Sequence, residues 1–288
     1  MSPWLRLLFV SASWLLALRK GGWLLAALLP TRWLSQLSLP GFSMLVQALA
    51  TAVGLGLTFA LVRKPREVLG IVRPSKGALA KTLLVAPALF VATSVLALQI
   101  AMPWLLEEIE QGRVHASREN AGAMGQALQE APLLSTLLWA ALLAGVTEEL
   151  FFRGALFTLV RNAVRRVKSN AERMAGAVAV VASAALFGFA HADMPGGVGV
   201  VRIVSSVCLG LACGLARLTA RSLWAPILLH TTNNVLALAV ARKWLDDGSA
   251  PLVFALPNRL LALAGVGLIV MISLTVSRML MSRRPHFE

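Results

Sequence analysis

The chain has 288 residues, 58% of them hydrophobic and 14% charged, with a mean hydropathy of +0.75. A soluble domain carries roughly 25% charged residues, so a soluble globular fold is excluded. The formal charge of +14 gathers in short segments between apolar runs, as the positive-inside bias requires. With no aromatic-basic interleaving beside it, nucleic acid is excluded as a partner.

Residues 3–18 and 21–36 are two short apolar pieces divided by Arg19-Lys20-Gly21-Gly22. Each is compatible with a short span or with half of a re-entrant hairpin. No small-x-small cleavage site closes the first piece, so an uncleaved anchor is expected. Gly41 to Val62 is a clear span, and Arg63 to Lys81, with six basic residues and one acid, is predicted to be cytoplasmic. The next span, 82–106, is crossed by Pro87 and ends near Pro103 and Trp104. Residues 107–130 carry Glu107, Glu108, Glu110, Glu119 and Glu130 against Arg113 and Arg118, and are predicted on the far side.

An apolar run then extends from Pro132 to about Val160, long enough to cross a bilayer, which needs roughly 20 residues. Arg161, Arg165, Arg166, Lys168 and Arg173 return the chain to the cytoplasmic side. Further spans are predicted at 174–191, 198–216, 223–241 and 259–277, the last followed by a basic tail. Basic and non-basic connections alternate from residue 63 onward. The fold class is therefore an all-α polytopic membrane protein, a bundle of about eight transmembrane helices. No internal repeat or pair of broken helices points to an inverted-repeat transporter.

Three polar constellations stand inside these apolar runs. Glu148, Glu149 and Arg153 lie at membrane depth, where charges are costly and mark function. On a helix Glu149 and Arg153 are four apart and face each other, whereas Glu148 is turned about 100° away, so the arginine neutralises only one carboxylate. His191 closes the sequence Phe-Gly-Phe-Ala-His, with Phe187 four positions before it. An imidazole beside a carboxylate is a general-base pair for water, and the alternative is a histidine resting in the headgroup layer near Asp193. His230 and Asn234, in His-Thr-Thr-Asn-Asn, share a helix face and offer donors to a developing oxyanion; the alternative is interhelical polar glue. By length alone His191 falls about 25 Å along its span, close to the non-cytoplasmic end, while His230 falls about 10 Å into its own from the cytoplasmic side.

Glu148-Glu149-x-x-x-Arg153, Phe187-x-x-x-His191 and His230-x-x-x-Asn234, in this order on successive helices, resemble the CAAX-type prenyl endopeptidases and bacteriocin-processing or immunity proteins, a family of intramembrane glutamate proteases. The resemblance implies that Glu148 activates water together with His191, that Arg153 orients Glu149, and that His230 with Asn234 stabilises the tetrahedral oxyanion. It further implies N-terminal helices at 1–131, a catalytic core at 132–241, and a C-terminal helix with a basic tail at 242–288, in a multi-pass protein of the cell membrane.

The expected activity is endopeptidase cleavage of a membrane-associated or lipid-modified protein or peptide. Its alternatives are a non-catalytic immunity or interaction protein of the same fold and a proton-coupled transporter. No cofactor and no metal are expected, since Arg153 occupies one carboxylate and the two candidate imidazoles come from different helices. Cys208 and Cys213 point to different faces, so no disulfide or metal role is expected of them. The partners are the substrate and the lipid bilayer. Oligomeric state stays open, with Gly210 and Gly214 forming a small-xxx-small face expected to pack within the chain.

Overall fold

The computed structural model describes residues 2–34, 39–74, 77–111, 131–167 and 172–241. The predicted span 259–277, the basic tail and most of the acidic connection at 107–130 lie outside these residues. The described chain is helical: α1 (Pro3–Leu28), α2 (Leu39–Leu61), α3 (Ala78–Glu110), α4 (Leu133–Val167), α5 (Glu172–Ala190), α6 (Gly196–Ala220) and α7 (Trp224–Ala241). Parts of α2 and all of α3, α4, α5 and α6 are long and apolar enough to cross a membrane. Leu84 is 86% and Phe189 67% exposed, which a water-facing helix would not tolerate and a lipid-facing one requires. The protein is an all-α polytopic membrane protein.

Two elements differ from their sequence expectations. Residues 3–28 form one helix that continues through Arg19-Lys20-Gly21-Gly22. A Ser2 cap on the Leu5 amide starts it, and nothing in the Arg-Lys-Gly-Gly stretch removes a backbone donor, so the charges interrupt hydropathy without interrupting the helix. Similarly, α3 does not end near Pro103 but runs on to Glu110. Each proline inside it deletes a single N–H, which a long packed helix absorbs.

The helices alternate in direction, and hydrogen bonds gather their ends at two poles. At the basic pole, Arg6 Nη1 donates to the Leu61 carbonyl, Thr158 Oγ1 to Val68 O, Ser222 Oγ to Val72 O and the Leu223 amide to Gly70 O. A short helix, Pro65–Leu69, thereby tucks under the ends of α4 and α6. It closes on Gly70, whose φ of +76° suits glycine and whose missing Cβ leaves room for the Arg217 guanidinium. At the opposite pole the Gly197 amide at the start of α6 donates to Glu108 of α3 at 2.7 Å. These two poles are the sides that the charge alternation separates.

Inside, α5 and α6 run antiparallel in close contact. A Cβ on Gly210 would come within 2.9 Å of Ala184 Cα, and one on Gly214 within 3.0 Å of Val180, so the small face is used within the chain. The core is aromatic where α1, α4 and α5 meet, with Trp14, Phe151, Phe152 and Phe187 in successive ring contacts.

Candidate active site

The site is built on an irregular stretch of α4. Leu137–Leu143 and Leu150–Leu156 are π-helical, and between them stands one short α-helical piece, Ala144–Glu149. π-Helical turns are rare and occur mostly at functional sites, because the wider i→i+5 turn re-aims the side chains that follow. Here the irregularity brackets Glu148 and Glu149.

Glu149 and Arg153 are both fully buried and joined at 2.8 Å through Nη1 and Oε1. Arg153 Nη2 donates to the carbonyl of Gly210 at 2.9 Å, and its Cζ lies 4.7 Å from the centre of the Phe187 ring. Gly210 permits this approach, since a Cβ there would stand 3.1 Å from Nη2. The same Glu149 Oε1 lies 2.8 Å from His230 Nδ1. One carboxylate oxygen thus receives a guanidinium from its own helix and an imidazole from α7, and α4, α6 and α7 are tied at one point. A desolvated carboxylate needs such partners, because burying it alone would cost several kcal/mol.

Glu148 faces elsewhere. Its side chain is 24% exposed, and its Oε2, buried and without a hydrogen bond, lies 3.8 Å from His230 Nε2 and 3.9 Å from His191 Nε2. Both gaps are too long for direct hydrogen bonds. The tautomers follow from the other ring nitrogens. His191 Nδ1 is 2.8 Å from the Phe187 carbonyl, which can only accept, so that nitrogen carries hydrogen. His230 Nδ1 faces the Glu149 carboxylate and carries hydrogen likewise. Both Nε2 atoms then turn to Glu148.

The two histidines meet despite their sequence depths. The His191 ring folds back along α5 to within 4.6 Å of the Phe187 ring centre, roughly a turn below its own backbone. Helix α7 enters beside α6, with Pro226 O 3.7 Å from Cys213 Sγ, so His230 starts well inside the bundle. Phe187 packs edge-on against His230 as well, at 5.4 Å. The level is that of Gly210, ten residues from the end of α6 at Ala220, or about 15 Å from the basic pole.

Five of the six sequence-predicted residues, Glu148, Glu149, Arg153, His191 and His230, come together. Asn234 is placed otherwise: its Nδ2 donates to the carbonyl of Ala140 at 3.1 Å, pinning α7 to the first π-helical stretch. The structure gives a positioning role to Phe187 of the Phe187-x-x-x-His191 motif and adds a second positioning residue, Gly145, that the sequence did not single out. Phe187 contacts His191, His230, Arg153 and Phe152. Gly145 lets α7 close on α4, since a Cβ there would stand 2.7 Å from Thr231 Oγ1, next to His230. A glycine one turn before a carboxylate pair is the signal that could have found it. Among the described residues, no group of three or more His, Cys, Asp or Glu side chains is arranged to hold a metal ion.

Comparison with curated proteins gives no match, and comparison with solved structures gives none. A family model does match: residues 130–236 fit the type II CAAX prenyl endopeptidase Rce1-like family, and every side chain described above from Ala140 to Asn234 falls within that range. This is generally a family of proteases, and the protein is a membrane protein whose residues 130–236 match the type II CAAX prenyl endopeptidase Rce1-like family.

Proposed function

We propose that the protein is an intramembrane endopeptidase of the cell membrane. It hydrolyses a peptide bond of a membrane-associated or lipid-modified protein or peptide with water activated by glutamate and histidine. The observation that carries this reading is the position of Glu148 Oε2, buried, without a hydrogen bond, and within 3.9 Å of two imidazole Nε2 atoms. Glu148, with His191 beside it, takes the proton of a water whose oxygen attacks the scissile carbonyl carbon. The C–O bond forms, the carbonyl oxygen becomes an oxyanion, and the proton passes to the leaving amine nitrogen as the C–N bond breaks.

His230 is the group proposed to meet the oxyanion. To donate from Nε2 it must carry a second proton, and Glu149 at its Nδ1 is placed to hold that form, as a carboxylate does behind a catalytic histidine. Arg153 positions Glu149 and never touches the reacting atoms. Asn234 is proposed as the second oxyanion group through the N–H that Ala140 leaves over.

The test compares membrane proteomes of cells making the wild-type protein or Glu148→Ala. One peptide bond, in a membrane-associated protein, whose cleavage disappears with Glu148 is the expected result. Proteomes that are identical while the wild-type chain is present and folded would sink the reading.

A further inference from the structure

At the basic pole, far from the carboxylates, the start of α1, the end of α2 and the end of α4 enclose a cavity of about 570 Å³. Arg6, Arg63, Arg165 and Arg166 stand around it, and among the described residues that line it none is acidic. The wall between them is apolar, from Leu7, Leu61 and Val68. Four exposed arginines around an apolar cavity at the end of a helical bundle present one sign of charge to whatever enters it.

Arg165 Nε pairs with Glu172 at 3.1 Å, and Arg161 pairs with the same carboxylate, so one acid is divided between two cations. Arg6 Nη1 donates to the Leu61 carbonyl at 3.4 Å. Arg166 lies over the Trp4 ring at 5.5 Å, which orients it without cancelling its charge. Trp4 also lines the cavity, and its Nε1 is buried without a hydrogen-bond acceptor. Cations, an indole ring and an apolar wall therefore converge on one space, at a pole where a tryptophan and arginines belong to the membrane interface.

We propose that this cavity binds the headgroup phosphate of an anionic phospholipid, with the upper acyl chain along Leu7, Leu61 and Val68. Basic pockets between transmembrane helices on this side of a bilayer hold such headgroups, and the volume suits a phosphoglycerol group with the first part of a chain. The site is separate from the carboxylates. Its lining on α4, Asn162 to Arg166, lies about two and a half to three and a half turns beyond Arg153.

The experiment reconstitutes the full chain in nanodiscs of phosphatidylcholine with increasing phosphatidylglycerol and counts retained lipid by native mass spectrometry. The wild-type chain should hold one phosphatidylglycerol. The double variant Arg63→Gln/Arg166→Gln should lower that affinity about 30-fold, on roughly a kcal/mol for each cation, while melting as the wild type does in pure phosphatidylcholine. Arg73→Gln, an exposed cation at the same pole outside the cavity, should cost no more than about fivefold.

Equal retention of phosphatidylcholine, or the same loss from Arg73→Gln as from the double variant, would overturn the site. Inorganic phosphate or glycerol 3-phosphate that saturates the cavity as tightly as the lipid would make it a soluble-phosphate site and overturn the lipid assignment. Should the double variant fail to fold, Arg166→Gln replaces it; a phosphatidylglycerol affinity weakened more than by Arg73→Gln is then expected, and an equal or smaller loss refutes the proposal.

Discussion

The two glutamates of the site are neighbours in sequence and opposites in environment. Glu149 is fully buried and held at 2.8 Å by two cationic or donor groups, whereas Glu148 is a quarter exposed and stands 3.8 to 3.9 Å from its imidazoles. Close contact from two helices onto one oxygen makes a scaffold; partial exposure and separation from both imidazoles make a place for a reactant. The difference teaches that similar residues one position apart should fail in different ways, one through turnover and the other through folding.

The largest effect is expected on the open side. Glu148→Gln keeps size and most polarity but cannot take a proton, so a detergent-purified protein should lose about 10²- to 10⁴-fold in cleavage rate while its thermal transition stays within experimental scatter. Full retention of cleavage by a folded Glu148→Gln chain is the result that would remove Glu148 from the base role. On the closed side, Arg153→Met should leave the carboxylate of Glu149 buried beside a neutral chain. The expected loss is about 3 to 5 kcal/mol of stability, read in chemical denaturation of the micelle-bound protein. If Arg153→Met melted like the wild type and only turnover fell, the scaffold reading of the pair would be wrong.

How far the sequence carried depends on how local each feature is. The pairing of Glu149 with Arg153 follows from four residues of helix and is present as spacing requires, and Gly210 with Gly214 needed only the i, i+4 face. The meeting of His191 with His230 was not legible, because it depends on the rotamer that folds the His191 ring back to Phe187 and on α7 starting beside Cys213, which is a tertiary fact. The π-helical turns around Ala144–Glu149 leave no hydropathy trace, since they change hydrogen-bond register and not residue type. Arg19 and Lys20 misled in the other direction: charges were read as a break in α1 where the backbone has none. Asn234 shows the same limit, for a helix face says which way a side chain leaves and not which carbonyl on α4 it reaches.

Gly145 tests whether the gap around Glu148 is set by packing. Gly145→Ala would place a methyl 2.7 Å from Thr231 Oγ1 and 3.2 Å from the Thr231 amide nitrogen, pushing α7 off α4 at the residue beside His230. A cost of about 1 to 3 kcal/mol in stability is expected, with a fall in turnover larger than that loss explains, because His230 would be drawn from both carboxylates at once. Crowding that lowered stability yet left turnover per folded molecule unchanged would show that His230 keeps its place by Glu149 alone.

The smallest effect expected is none, and it concerns metal. Glu149 Oε1 is already shared by Arg153 and His230, so a metal in this site would have to draw on Glu148, His191 and His230. That set would take Glu148 out of its proposed role, leaving no free carboxylate to accept the proton of water, and it would need both Nε2 atoms and Oε2 to close on one ion from separations of 3.8 and 3.9 Å. Metal-independent hydrolysis therefore predicts that exhaustive chelation of the solubilised protein leaves turnover unchanged while metal content, measured on the same preparation, falls to background. Turnover that vanished on chelation and returned in proportion to one bound zinc per chain would reassign those three residues as ligands. It would also erase the contrast between the two glutamates, because Glu148 would then be held as tightly as Glu149.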